Sequence, residues 1–303
     1  MLNDPIRLVG RMGAWRAALL VACALGLANA PSSAETMPDR AELEAWRDAA
    51  FQTDDPKGSL MQLAGLMGEV DPFLRDEIGF TGLSAILRRG SADPATVRRL
   101  IAVFTARLDK PDPVGVRRSF AILGLSELAR VDRLEPFLSD EEFSELVAVA
   151  SAQLSQVTDY RGYDPDVGWR HAVAHGSDFA LQLVLNDRTD AEQLALLREA
   201  VAAQIAPGVA YVNGESQRLA RPILYMALRE ASVAPPWGDW FEALAQQHVA
   251  IFEGTETTVD GLSARHNLRR FLLEIYTTAK SSDREALAPL ADGALALLRR
   301  LGG

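Results

Sequence analysis

The sequence predicts an all-α protein, and three observations carry the prediction. Apolar residues recur at three- and four-residue spacings almost everywhere beyond position 34, as in Leu100, Val103, Phe104, Leu108 or Leu194, Leu197, Val201, Ile205, the period of a helix with one buried face. Helix starts carry chemical marks: Asp71-Pro72, Asp93-Pro94 and Asp112-Pro113 each place a capping acid before a proline suited to the first turn. Ser139 with Glu142, Thr189 with Glu192 and Ser282 with Glu285 have the spacing of a reciprocal capping box. No segment reads as a strand.

Taken in order, the chain opens with Arg7, Arg11 and Arg16 ahead of the apolar run Ala17 to Leu27 and a set of small residues. That is the pattern of a secretory signal, and the run is too short to cross a bilayer comfortably. Cleavage after Ala34 would leave Ser32 and Ala34 at the two small-residue positions, giving a 1–34 signal peptide and a single all-helical domain over 35–303. The mature chain then begins at Glu35, is periplasmic or secreted, and has no transmembrane segment. The competing reading takes Leu20-Val21-Ala22-Cys23 as a lipoprotein signal with Cys23 acylated and membrane-tethered. Cys23 is the only cysteine, so the mature chain has no disulfide, no cysteine metal site and no thiol nucleophile. Residues 35 to 303 number 269, a length at which about three quarters of the unfolded surface can be buried, so one core suffices. Removing Arg7, Arg11, Arg16 and Asp4 changes the charge count from 31 basic against 41 acidic to 28 against 40, a net charge of about −12. Nucleic acid and anionic lipid, which demand a basic footprint, are excluded as partners.

The periodicity and caps together imply about eleven or twelve helices, over 39–52, 58–68, 72–89, 94–108, 113–131, 140–157, 168–186, 190–206, 215–231, 236–253, 262–279 and 283–301, joined by short turns. Medium helices that reverse direction and carry wide apolar faces suit stacked antiparallel hairpins, an irregular HEAT- or armadillo-like α-solenoid with about 40 residues per helix pair. No strict repeat is visible, and an α/α toroid or an irregular helical domain would produce the same pattern.

The most distinctive stretch is Asp159 to Asn186. Gly162, Asp164, Pro165 and Gly168 make a structured turn, and Asp166 can cap a helix beginning near Trp169, whose indole joins Val173, Leu181 and Leu185 on a core face. His171, His175 and Asp178 fall at i, i+4 and i+7 and so share one side of that helix. Two imidazoles and a carboxylate at this spacing form a three-point ligand set for zinc or another divalent metal, with a fourth position open to water. The same residues equally make a buried hydrogen-bond network, with Asp178 pairing an arginine, or bind an organic ligand. The helical zinc-protease mechanism is absent, because Ala172 stands where that motif has its glutamate.

Gly168-Trp169-Arg170-His171-Ala172-Val173-Ala174-His175-Gly176-Ser177-Asp178 resembles the G-W-x-H-x-x-A-H-x-A-D signature of the bacterial domain-of-unknown-function family 2785. Arg75-Asp76-Glu77 is similar to that family's R-D-E segment and Arg118-Ser119-Phe120 to its R-S-F. Asp159-Tyr160-Arg161-Gly162-Tyr163 matches its D-x-R-G-Y, and Glu215-Ser216-Gln217-Arg218-Leu219 its E-x-x-R-L. The matches run from about residue 70 to 230, with Ser177 in place of the expected alanine. The resemblance implies an all-helical fold and supplies no activity.

Convergence of these segments would line one concave surface with Asp76, Arg118, Trp169, Arg170, His171, His175, Asp178, Glu215 and Arg218, as a helical repeat makes a binding site. Separately, each has an ordinary role: Arg75, Asp76 and Glu77 as a solvated cluster, Glu215 with Arg218 as an i, i+3 pair. His248 and His266 lie in ordinary amphipathic stretches, and Trp237 with Trp240 reads as a hydrophobic anchor or a sugar-stacking surface. No phosphate loop, dinucleotide fingerprint, calcium loop or nucleophile elbow is present. Two functions fit. One is an exported helical-repeat protein binding a peptide, envelope component or small polar ligand; the other is a metal-dependent or carboxylate hydrolase built on the His171/His175/Asp178 face.

Overall fold

A computed structural model describes residues 39–302 apart from 91, 230–232 and 256. The signal-peptide and Cys23 expectations lie outside the described residues. The helices are α1 Arg40–Asp48, α2 Pro56–Leu66, α3 Thr81–Arg88, α4 Pro94–Leu108, α5 Arg117–Leu134, α6 Asp140–Ser155 and α7 Ala172–Val184. They continue with α8 Ala191–Ala202, α9 Glu215–Ala227, α10 Trp237–Gln247, α11 Val249–Glu253, α12 Val259–Lys280 and α13 Ala288–Gly302. The protein is mostly helical, as periodicity predicts. One exception is a short hairpin of two-residue strands, β1 Tyr163–Asp164 antiparallel to β2 Gly168–Trp169, where a turn and the first residues of the 168–186 helix were expected.

Where the acids cap, they do so by accepting from backbone N–H groups left free at a helix start. Asp93 accepts from Ala95 and Thr96 ahead of Pro94, and Ser139 with Glu142 forms a complete capping box. Other starts are displaced. The box expected at Thr189/Glu192 forms at Asp190/Gln193, because the Thr189 hydroxyl is spent donating to the Leu183 carbonyl at 2.5 Å. Ser282 and Glu285 form none; a 3-10 turn over Glu285–Leu287 precedes α13. Asp112 does not start a helix at Pro113, since Gly115 takes φ +84°. Its carboxylate instead accepts from the N–H groups of Gly115 (2.9 Å) and Arg118 (2.8 Å), and α5 begins at Arg117.

The expected helix 72–89 is a π-helical segment, Phe73–Phe80, continued by α3. Gly79 shows what the widened turn accommodates: a Cβ there would lie 2.8 Å from the Met67 nitrogen and 3.1 Å from the Leu66 carbonyl carbon, so this backbone lies directly on the end of α2.

Packing follows alternate elements. α5 packs on α7, α7 on α9 and α9 on α12, while α6 packs on α8. In α5, α7 and α9 helices two apart lie side by side, α12 follows α9, and the consecutive pairs α4/α5 and α12/α13 pack on one another. Fully buried Phe104, Phe120, Phe179, Leu183, Leu219, Ile223 and Leu268 run through this layer. Loops are moored by buried or half-buried polar side chains, which need partners to offset desolvation. Asn267 accepts from the Tyr211 N–H and donates to the carbonyls of Pro207 and Val209. Arg229 donates to the carbonyls of Val184, Asn186, Asp187 and Thr189. Among the described residues no helix is long and apolar enough to cross a membrane.

Candidate functional site

The hairpin is built by its own side chains. Asp164 Oδ1 accepts from the N–H groups of Asp166 and Val167, both at 2.9 Å, and Gly168 takes φ +77° to return the chain. Asp166 is used in this turn rather than as a helix cap. Arg75, fully buried, holds the hairpin to the π-helical segment: it donates to the carbonyls of Val70 (2.9 Å) and Val167 (2.8 Å) and to Asp76 (2.6 Å). Arg170 locks the far side, its Nε donating to the Val114 carbonyl at 2.7 Å and its N–H to Gly162 O at 3.0 Å.

This delays α7 by about a turn against expectation. His171 is not on its surface but is its N-cap residue, with φ 53° and ψ 34°, a left-handed conformation uncommon outside glycine. Trp169 is correspondingly not core. It is 38 % exposed on β2, with the His171 ring stacked on it at 4.1 Å and 9° and Tyr163 edge-on at 5.0 Å. The i, i+4, i+7 face predicted for His171, His175 and Asp178 is thus broken at its first member.

His175 is 7 % exposed, its ring 5.8 Å from that of His171 and edge-on to Phe120 at 5.1 Å. Its Nδ1 lies 3.1 Å from the Ser119 carbonyl and 2.8 Å from the Ser119 hydroxyl. A carbonyl only accepts, so Nδ1 carries the proton. The Ser119 hydroxyl in turn donates to the Arg170 carbonyl. Ser119 and His175 are therefore not a nucleophile and its base: the hydroxyl proton is committed elsewhere and the facing nitrogen is already protonated. Burial, with the charges of His171, Arg218 and Arg75 adding to it, lowers the His175 pKa to about 3, so the ring is neutral at ordinary pH. Burial also lowers that of His171, opposed by Glu215 and Asp178. The His171 Nδ1 is buried without a hydrogen-bond partner.

Asp178 is ion-paired with Arg218 across α7 and α9, and burial raises its pKa against that pairing. Asp76 behaves likewise beside Arg75. Among the described residues no group of three or more His, Cys, Asp or Glu is arranged to hold a metal ion. The expected zinc set is not assembled, because His171 is turned onto Trp169, His175 is bonded to Ser119, and Asp178 is taken by Arg218.

Of the expected site residues, the structure gathers His171, His175, Asp178, Arg218 and Glu215 into one neighbourhood. Glu215 is 5 % exposed and accepts from the Asn213 N–H at 2.9 Å. Asp76 stands apart, joined through Arg75, whose guanidinium lies 4.6 Å over Phe120. Arg118 is exposed and lines a separate cavity.

That cavity, about 330 Å³, lies between the starts of α5 and α7 and the end of α6, with Arg118, Ser119, Gln156, Asp159 and Ala172 in its wall. Asp159 and Ala172 also wall a shallow constriction that contains His171, Tyr211 and Glu215. Tyr211 and Glu215 in turn wall a third cavity of about 310 Å³ reaching His266 and Arg270 on α12. Sequence reasoning missed Tyr211 and Gln156 and placed Asp159 and Gln217 only within family-like segments, not as lining residues; helical period marks faces, and these residues lie at helix ends and in loops. Gly162 lies tight against the loop before α9, since a Cβ there would fall 1.9 Å from Asn213 Nδ2.

Fold and site define a class: a mostly helical protein with two surface cavities, of about 330 and 310 Å³, on either side of the buried neighbourhood of His171 and Glu215. Its family follows from the sequence profile that matches residues 105–277, more than half of the chain, and the chain belongs to that family, described as a protein of unknown function (DUF2785). No curated protein and no solved structure shows significant similarity.

Proposed function

We propose that this chain is an exported α-solenoid that binds an extended peptide segment in the cleft running from Arg118 over His171 to Arg270. The observation that carries the reading is the sharing of walls: Asp159 and Ala172 join the first cavity to the constriction, and Tyr211 and Glu215 join the constriction to the last. The constriction has no room for a water as it stands, and once it opens the row of cavities passes from α5 across α7 and α9 to α12. At about 8–10 Å per helix spacing this is about 25–30 Å, the length of about eight extended residues at ~3.3 Å each. The side-by-side packing of alternate helices supports the solenoid arrangement, and the Arg-led apolar leader with small residues at 32 and 34 supports export.

The lining chemistry favours a polypeptide. Gln153, Gln156 and Gln217 each offer both a donor and an acceptor, matching a backbone that presents both along its length, and Asp109 and Arg118 offer one charge of each sign. No observation favours the hydrolase, since Ser119, His175 and Asp178 are each engaged with a structural partner. Gln156 and Gln217 are exposed and lie at the two ends, so bulky replacements there block the cleft without entering the core. Immobilised protein should retain members of a random nine-residue peptide pool, and Gln156→Trp or Gln217→Trp should reduce retention about tenfold with unchanged circular dichroism. Absence of retention by the parent, or retention undiminished in both variants, would overturn the reading.

A further inference from the structure

The hairpin before α7 carries an exposed aromatic pair. Among the described residues three aromatic side chains are exposed, Tyr163, Trp169 and Tyr225, and the first two are cross-strand partners whose rings lie 5.0 Å apart at 63°. The His171 ring covers one face of Trp169, whereas Tyr163 is 59 % exposed and open to solvent. A second segment extends this surface. The Arg75 guanidinium donates to both the Val70 and the Val167 carbonyls, and a Cβ on Gly168 would lie 3.1 Å from Pro72 Cβ, so exposed Val70 and half-buried Pro72 lie against the base of the hairpin. Single exposed apolar residues are ordinary, but a group drawn from two distant segments and held by a buried arginine is a preformed surface.

Its charge says what covers it. Asp71 and Asp166 are exposed, and neither is ion-paired with a described residue; Asp166 is engaged only through its N–H, to Asp164, and Asp71 accepts from the Phe73 N–H. The bases beside the hairpin are already taken, Arg75 by Asp76, Arg170 by Asp164 and Arg161 by Asp159. Arg117 approaches at Gly68, next to exposed Glu69, and the two charges offset there. An apolar partner would strip water from Asp71 and Asp166 without replacing it, a second copy of the chain would set like charges against each other, and an anionic membrane would be repelled. A guanidinium suits both halves of the surface, since its plane stacks on an aromatic ring and its fork pairs with a carboxylate.

We propose that the Tyr163/Trp169 hairpin, with Val70 and Pro72, is a docking surface for an arginine-bearing segment of another polypeptide, the guanidinium lying over the Tyr163 ring and against Asp166. None of these residues lines the cavities of the cleft, so the surface is independent of what the cleft holds. A fluorescein-labelled nine-residue peptide of glycine and serine with two arginines is titrated against the full chain by anisotropy, beside a twin with citrulline at both positions, which keeps the length and planarity of arginine without its charge. The arginine peptide should bind about tenfold more tightly than the twin. Tyr163→Leu, which removes the ring and keeps an apolar side chain, and Asp166→Asn should each weaken the arginine peptide severalfold, with the melting temperature and the binding of the twin near parent values. Equal binding of the two peptides by the parent, or binding of neither, overturns the inference. So does an arginine peptide held as tightly by Tyr163→Leu as by the parent, which would assign it to the cleft or to the general field of a chain of net charge −10.

Discussion

His175 sits where a charged ring would have no counter-ion, and its environment fixes the sign of a pH effect. Its folded pKa of about 3 lies below the unfolded value near 6.5, so the unfolded chain binds the proton more readily. Its contribution to stability is fully present above about pH 6.5 and is lost progressively as the pH falls toward 3. Asp76 and Asp178, raised by burial, act with the opposite sign and are common to parent and variant. His175→Asn retains a donor toward the Ser119 carbonyl but cannot titrate. Urea denaturation at pH 7 and pH 5 should show the parent losing about 1–2 kcal/mol more than the variant across that interval. An equal loss would mean that His175 is hydrated in the folded state. Trp169 offers a second test: being 38 % exposed, it should cost about 1–2 kcal/mol on replacement by Ala, below the ~3–5 kcal/mol of a core tryptophan.

For whole elements, the sequence was most legible where local chemistry alone decides. Asp93-Pro94 and Ser139/Glu142 start helices where expected, because the cap and its N–H partners are two or three residues apart. It was least legible where a distant group competes. Thr189 has the spacing of a cap, yet its hydroxyl is claimed by the Leu183 carbonyl, and the next residue takes over. Trp169 and His171 have the spacing of helix residues, yet Arg75, far back in sequence, and the turn at Asp164 hold them in hairpin and left-handed backbone. The candidate residues were largely named in advance, but their roles were not, since the i, i+4, i+7 face presumed an unbroken helix. The displaced cap is testable: Asp190→Ala should lower stability by about 1 kcal/mol, whereas Glu192→Ala should change it by no more than a few tenths. A larger effect at Glu192 would restore the box that the spacing suggested.

At the scale of the molecule, the helical class followed from periodicity sustained over the chain, which tertiary contacts override only locally, as at Trp169 and His171. The row α5, α7, α9, α12 did not, because nothing in a one-dimensional pattern says which helices lie side by side. Export is checked by the mass of the chain recovered from its native host. A product beginning at Glu35 is expected, and a lipid-modified chain starting at Cys23 would replace that reading by membrane tethering.

The bond from Arg75 to the Val167 carbonyl joins groups 92 residues apart, farther than the 60 that separate Asn267 from Pro207. Chains are synthesised from the N-terminus at about 5–20 residues per second, so this bond cannot form for roughly 5–20 seconds after Arg75 is made. Through that interval a guanidinium destined for complete burial has only its near neighbours, Asp76 and the Val70 carbonyl, to satisfy it. The π-helical segment must wait, part-finished, for the hairpin that seals it. A nascent chain stopped before residue 167 should therefore show the 73–80 region open to proteolysis, and one extended beyond 185 should show it closed.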